Sequence, residues 1–203
     1  MSAEVPAWLS ESLAQPAGVP PHAAALTIAR LADERSFARS GFSLSSPAFA
    51  NGEELDPCFT ADEEDAVAPP LEWSAPPPGA QEIAIIVEDA SANGDAPTLH
   101  WAVWGLPGQK GMLLEGEIPP RVGKNAKRNS EWLLPAPPED DDAHTYVFQI
   151  FALDLPLTLM PGASGAELIK QMEGHVVAAA VLTGTYKREE GDDNWDEDEE
   201  DFD

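Results

Sequence analysis

Two histidines stand where loops run into apolar, β-prone stretches, each with polar company. The first follows Val87-Glu88-Asp89-Ala90-Ser91: nine residues after Ser91 comes His100-Trp101-Ala102-Val103. The second follows Pro135-Ala136-Pro137-Pro138 and a short acidic loop, in His144-Thr145-Tyr146-Val147-Phe148. Junctions between loops and strands are where folded domains keep polar working groups. The carboxylate of Asp89, the imidazoles of His100 and His144 and the phenol of Tyr146, gathered in one mouth, make a pocket for a small anion or a headgroup-like ligand. Imidazoles donate more strongly when protonated, a neighbouring carboxylate orients one of them and raises its pKa, and the phenol adds a neutral donor. Taken singly, each residue has a plainer use. A His before Trp at a strand start is often structural, and a Tyr in an apolar strand is usually core with its hydroxyl at the rim.

Other chemistry has little support. The histidines at 22, 100, 144 and 175 are scattered, and neither CxxC nor HExxH occurs, so no metal and no cofactor is expected. Gly105 to Gly111 lacks the spacing and the Lys-Ser/Thr of a phosphate-binding loop. Ser164 reads as a helix cap rather than a nucleophile. No residue is assigned a catalytic role, and the chain is expected not to be an enzyme.

The elements that must hold these residues are mostly strands. Twenty prolines and fifteen glycines in 203 residues imply many turns, which suits a β-rich fold. Ile83 to Val87 is a near-continuous apolar run, as for a central strand buried on both faces. Leu71-Glu72-Trp73, His100 to Leu106, Thr145 to Leu153 and Val176 to Tyr186 read as further strands, with shorter early ones near Phe42, Leu44 and Phe49. Ser164-Gly-Ala-Glu167 is a capping box that opens a short helix through Glu173, stopped by Gly174. His22 to Phe37 is predicted to be one helix, preceded by a weakly patterned stretch over 1–21. Gly108 to Glu131 reads as a long irregular loop, in whose second half Arg121, Lys124, Lys127 and Arg128, four of the eleven basic residues, cluster.

Charge narrows the partners. Thirty-seven acidic residues face eleven basic ones, a formal net charge of −26. Eleven of the acids lie in Glu189–Asp203, a segment too charged to fold on its own. The rest remains strongly negative, which disfavours nucleic acid and anionic membrane surfaces. The same charge opposes self-contact, so the protein is expected to be mainly monomeric. The lone Cys58 fits a reducing compartment. Met1 to Leu9 carries Glu4 and no basic run, and no apolar stretch is long enough to span a bilayer. A soluble, cytoplasmic protein without an integral membrane segment is expected. Three regions are predicted: an N-terminal extension with a short helix (1–40), a folded domain (41–187) and a disordered acidic tail (188–203).

Several motifs occur together in a known order. They are Phe59-Thr60-Ala61-Asp62, Ala68-Pro69-Pro70-Leu71-Glu72-Trp73, Asp89, His100-Trp101, His144-Thr-Tyr146-Val-Phe148 and Phe151-Ala-Leu153-Asp154. With them the chain resembles the phosphatidylethanolamine-binding protein family, in particular its bacterial, Raf-kinase-inhibitor-like branch. The closing stretch from Met172-Glu-Gly-His175-Val176 to Gly184-Thr-Tyr186 is similar to that branch too. The likeness covers roughly residues 41–187. It implies a large central antiparallel sheet with a smaller sheet and short flanking helices, and an anion pocket at one end.

In that family a D-P-D-A-P motif supplies the pocket's acid, which falls on Asp89. The histidine of its His-Trp pair falls on His100. A Gly-Pro-x-Pro-Pro segment falls on Leu134-Pro135-Ala136-Pro137-Pro138, and a His-Arg-Tyr triplet on His144, Thr145 and Tyr146. The ligand-binding set implied is therefore Asp89, His100, Pro135, His144 and Tyr146. The departures are Ser91 for the second aspartate, Ala90 and Asn93 for the prolines, Leu134 for the glycine and Thr145 for the arginine. A leucine in place of that glycine narrows the approach to the backbone.

These readings give a non-enzymatic binding or regulatory protein with a pocket for phosphate or a phospholipid-headgroup-like anion. One alternative is a protein kinase or protease inhibitor, or scaffold, that meets a protein partner through the 108–131 loop over a vestigial pocket. The other is a hydrolase or isomerase using the paired histidines.

Overall fold

The structure is a computed structural model that describes residues 4–13 and 18–188. The expectation for the acidic tail concerns residues that, from 189 on, lie outside the described ones. Among the described residues two antiparallel sheets form. The larger has the order β6-β4-β3-β7-β8, built from β3 (Glu82–Asp89), β4 (Thr98–Pro107), β6 (Arg121–Val122), β7 (His144–Leu153) and β8 (Val176–Tyr186). The smaller has the order β1-β2-β5, from β1 (Leu44–Ser45), β2 (Leu71–Trp73) and β5 (Gly111–Leu113).

The period of two along β3 divides the core into layers. Ile83, Ile85 and Val87 face the smaller sheet, where they meet Leu71, Trp73 and Leu113. Ala84 and Ile86 face the other way, against Leu9, Leu13, Leu26 and Ile28 of the N-terminal segment and Leu168 and Met172 of α3 (Gly165–Met172). β3 is thus buried along its whole length, as its unbroken apolar run predicts. The capping box of α3 forms as predicted, with Ser164 accepting from the Glu167 amide and the Glu167 carboxylate accepting from the Ser164 amide. Gly174, at φ +78°, then takes the left-handed turn that ends the helix.

Two expectations are corrected. His22 to Phe37 is not one helix. Only α2 (Thr27–Leu31) and a single 3₁₀ turn at Ala23–Ala25 are helical, with Leu26 and Ala32 extended. Helical propensity loses here to tertiary hydrogen bonds. The amide of Thr27 donates to Glu88 (2.9 Å) and that of Ile28 to Gln149 (2.7 Å), both on the sheet. Asp33 then accepts from the amides of Arg35 and Ser36 and turns the chain. Within the stretch before it, Ala7–Leu13 forms α1, with Leu9 and Leu13, one turn apart, fully buried.

The Gly108–Glu131 loop is likewise not wholly irregular, since it contains β5 and β6. Arg121 belongs to the fold rather than to a free basic patch. Its guanidinium donates to the Leu157 carbonyl at 2.9 Å and attracts the buried Glu82 carboxylate.

The outer edge of β8 is covered by chain from much earlier in the sequence. Ala38 donates to Ala179, Gly52 to Thr183 and Leu55 to Thr185, each at 2.8 Å. Gly184 permits this close approach: a Cβ there would meet the Leu55 side chain at 2.6 Å.

Candidate functional site

The sheet register brings the candidate residues to one end. Asp89 closes β3 and pairs with Thr98 at the start of β4 and with Tyr146 near the start of β7. His100 is the third residue of β4 and His144 the first of β7. Because neighbouring strands run in opposite directions, the end of one meets the beginnings of two. Asp89, His100, His144 and Tyr146 line a single cleft of about 260 Å³ together with Lys127 and Leu134. Pro135 does not line it. That residue is buried behind the wall, where its carbonyl accepts from the Ala61 amide at 2.9 Å. Leu134, at the position of the family's glycine, stands at the cleft surface.

The two imidazoles are held in different ways. His144 Nδ1 lies 2.7 Å from Asp89 Oδ2, and His144 Nε2 lies 3.1 Å from Asp141 Oδ2. Carboxylates accept, so these two contacts are both satisfied when both ring nitrogens donate, the imidazolium form. The hydrogen bond to Asp89 is the main cause that lifts its pKa above the ordinary value, against the cost of burial. Asp141 is fixed in turn by the Asn93 amide at 2.8 Å.

His100 is the opposite case. Its Nδ1 donates to the Leu133 carbonyl at 2.6 Å, and the Leu133 amide donates back to the His100 carbonyl at 3.0 Å. Burial pushes its pKa down and so favours the neutral ring, and the Leu133 contact places the proton of that ring on Nδ1. Tyr146 stands edge-on to it at 5.2 Å between ring centroids, and burial raises the phenol's pKa.

The replaced family residues still connect the strands. The Ser91 amide donates to Asp89 Oδ1 at 2.9 Å, and the Thr145 amide donates to the Ser91 hydroxyl at 3.0 Å. A neutral pair of contacts thus stands where the family pattern has an acid and an arginine. Lys127 reaches the rim from a turn built on the buried Asn125, whose side-chain oxygen accepts from the amides of Lys127 and Asn129.

Sequence reasoning missed as members of the site Asn93, Asn125, Asp141, the Leu133 carbonyl and Trp132, whose ring lies 6.1 Å from that of His100. Asn125 carried a signal, since Asn readily binds the backbone two residues on. The others act through where their loops lie. Among the described residues no group of three or more His, Cys, Asp or Glu side chains is arranged for a metal ion, and no helix is long and apolar enough to cross a membrane.

The clamp on His144 has a pH signature. Its folded pKa is raised, so its stabilising contribution is complete below the unfolded value near 6.5 and fades as pH rises through the folded value. The Asp141 carboxyl is held below its ordinary value, first by Asn93 and then by His144, so its part is lost as pH falls through that lowered value. An NMR titration is expected to show His144 titrating above 6.5 in the folded protein and lower in Asp89→Asn. A ring titrating below 6.5 in the unsubstituted protein would contradict the clamp.

Comparison with known proteins gives consistent results. The family profile described as phosphatidylethanolamine-binding protein matches residues 45–187. A UPF0098 protein of Methanothermobacter thermautotrophicus is 34% identical over 152 residues, 71% of this chain and 98% of its own length. One from Aquifex aeolicus is 34% identical over 151 residues, 71% of this chain and 87% of its own. Among solved structures, a phosphatidylethanolamine-binding protein homologue of Chlamydia trachomatis is similar with a TM-score of 0.67 and 31% identity, over 73% of this chain and 98% of that one. Escherichia coli YbcL, at 0.66 and 23% identity over 73% and 99%, shares the fold.

Proposed function

The chain belongs to the phosphatidylethanolamine-binding protein family, and from that premise we propose that it is a non-enzymatic binding protein whose cleft holds a small oxyanion of the phosphate or phospholipid-headgroup kind. The observation that carries this reading is a pair of polar atoms left without protein partners among the described residues, His100 Nε2 and the Tyr146 hydroxyl, in a cleft with the Lys127 ammonium at its rim. Among the described residues no buried side-chain nitrogen or oxygen lacks a partner. Both atoms therefore open onto the space they line. A cleft of about 260 Å³ suits a headgroup better than a larger organic molecule. The non-enzymatic part is supported by His144: with both nitrogens facing carboxylates it keeps no lone pair for base chemistry.

Thermal denaturation of the full chain with inorganic phosphate or phosphoethanolamine tests the reading. Ligand at a hundred times its dissociation constant is expected to stabilise the fold by about 2.7 kcal/mol. Tyr146→Phe, which removes only the hydroxyl, is expected to weaken binding roughly tenfold, the scale of one hydrogen bond. The absence of any shift with either ligand in the unsubstituted protein would reject the proposal.

A further inference from the structure

We propose that the cleft selects oxyanions that carry a proton, because His100 Nε2 accepts a hydrogen bond from the ligand rather than donating one. This rests on the oxyanion reading and narrows it. Hydrogen phosphate and phosphomonoester monoanions qualify; sulfate, with no O–H to give, does not.

The argument starts from Leu133. Its carbonyl can only accept, so the 2.6 Å contact fixes a proton on His100 Nδ1. In a neutral ring that leaves Nε2 with a lone pair. Every element packed around His100 bears on whether the ring stays neutral. β3 contributes the Asp89 carboxylate, which favours protonation. β7 contributes Tyr146 and the positively charged His144, and the connection between β6 and β7 contributes Lys127. His144 and Lys127 both oppose a second positive charge, and so does burial, with His100 only 5% exposed.

Each Asp89 oxygen already accepts one hydrogen bond, and a lone pair it still turns to the cleft is a further acceptor that favours a ligand O–H in the same way. Oδ1 takes the Ser91 amide and Oδ2 takes His144. What faces the ligand is therefore the unpartnered acceptor His100 Nε2, with the Asp89 carboxylate beside it, and two donors, the Tyr146 hydroxyl and the Lys127 ammonium. A tetrahedral anion with one O–H and several bare oxygens matches that set. The O–H donates to His100, and bare oxygens accept from Tyr146 and Lys127. Sulfate in the same place sets a lone pair against the lone pair of Nε2, an unmade hydrogen bond in a desolvated site. A phosphomonoester binds as its monoanion, so its affinity falls as pH rises past its second ionisation near 6.

Calorimetric titration of the full chain with sodium phosphate and with sodium sulfate, at pH 7 and matched ionic strength, tests this directly. Phosphate is expected to bind at least tenfold more tightly. In parallel, the ¹⁵N spectrum of His100 is expected to show an unprotonated Nε2 that shifts with phosphate and stays put with sulfate. Equal affinities, or a protonated Nε2 in the free protein at pH 7, would overturn the selectivity while leaving the oxyanion reading intact. No binding of either salt would reject the oxyanion reading and this inference with it.

Discussion

Truncation of Trp132 to alanine is expected to destabilise the protein by about 3–5 kcal/mol, the range for removing a large buried aromatic. The indole stacks on Phe148 at 5.9 Å with an interplanar angle of 26°, and meets Trp101 edge-on at 5.7 Å. Its N–H donates to the buried Phe59 carbonyl at 3.0 Å. One side chain thus joins the long β6–β7 connection to β4, β7 and the 57–59 turn. The next residue is Leu133, whose carbonyl sets the His100 tautomer. Loss of the indole is therefore expected to weaken ligand binding as well as the fold. Trp132→Phe keeps much of the packing and forfeits the N–H bond, and is expected to cost less than the alanine. Urea denaturation measures both. A loss under about 1 kcal/mol for Trp132→Ala, the worth of a single hydrogen bond, would mean that the connection is not fixed by this residue.

Glu88→Ala is expected to cost about 3 kcal/mol, because it strands three buried donors at about 1 kcal/mol or more each. The carboxyl accepts from the Thr27 amide at 2.9 Å, the Thr27 hydroxyl at 3.0 Å and the Gln149 side chain at 2.7 Å. With it gone, the N-terminal segment loses its main polar attachment to β3 and is expected to be cut more readily by trypsin at Arg30 and Arg35. Glu88→Gln behaves differently. Its oxygen can serve the Thr27 amide and Gln149 while its NH₂ donates to the Thr27 hydroxyl, which is also an acceptor. That substitution is expected to be nearly neutral. It is also expected to flatten a pH dependence. Burial raises the Glu88 pKa above its ordinary 4.5, so the folded protein retains a proton that the unfolded chain releases, and stability declines as pH climbs from 4.5 through the raised folded value. Denaturation curves for the two variants between pH 4.5 and 8 separate these effects. A glutamine variant as unstable as the alanine one would show that the charge itself is needed.

Strands with a strong local pattern were legible before any coordinates. The Ile83–Val87 run, Leu71–Trp73 and the Ser164 capping box carry their structure in nearest neighbours and short periods. The convergence of Asp89, His100, His144 and Tyr146 was legible because each sits at a loop-strand junction and matches a family pattern. Other parts depend on distant chain. The Ala-rich 22–37 segment has helical propensity throughout, and nothing local announces that Glu88 and Gln149 will capture its amides. Leu9 and Leu13 give α1 only one helical repeat to be seen by. Asp141 sits in an acidic run of four, Glu139 to Asp142, whose members look alike until the loop's path sets one of them against His144. Pro135 matched a motif whose neighbours, rather than itself, face the cleft. Arg121 looked like its three basic companions until its guanidinium was found bonded to the Leu157 carbonyl.

The covered edge of β8 bears on the order in which the molecule can be assembled during synthesis. The segments that complete it, near Ala38, Gly52 and Leu55, leave the ribosome more than a hundred residues before the strand they bond to. Until β8 follows, their amides and the Leu55 side chain lack their native partners there. Contacts so far apart in sequence slow folding and leave apolar surface waiting. The acidic run Glu53 to Asp65 lies within or just beyond those waiting segments, and its seven carboxylates repel other nascent chains during that interval. Negative charge in this region thus serves the unfinished protein as well as the finished one.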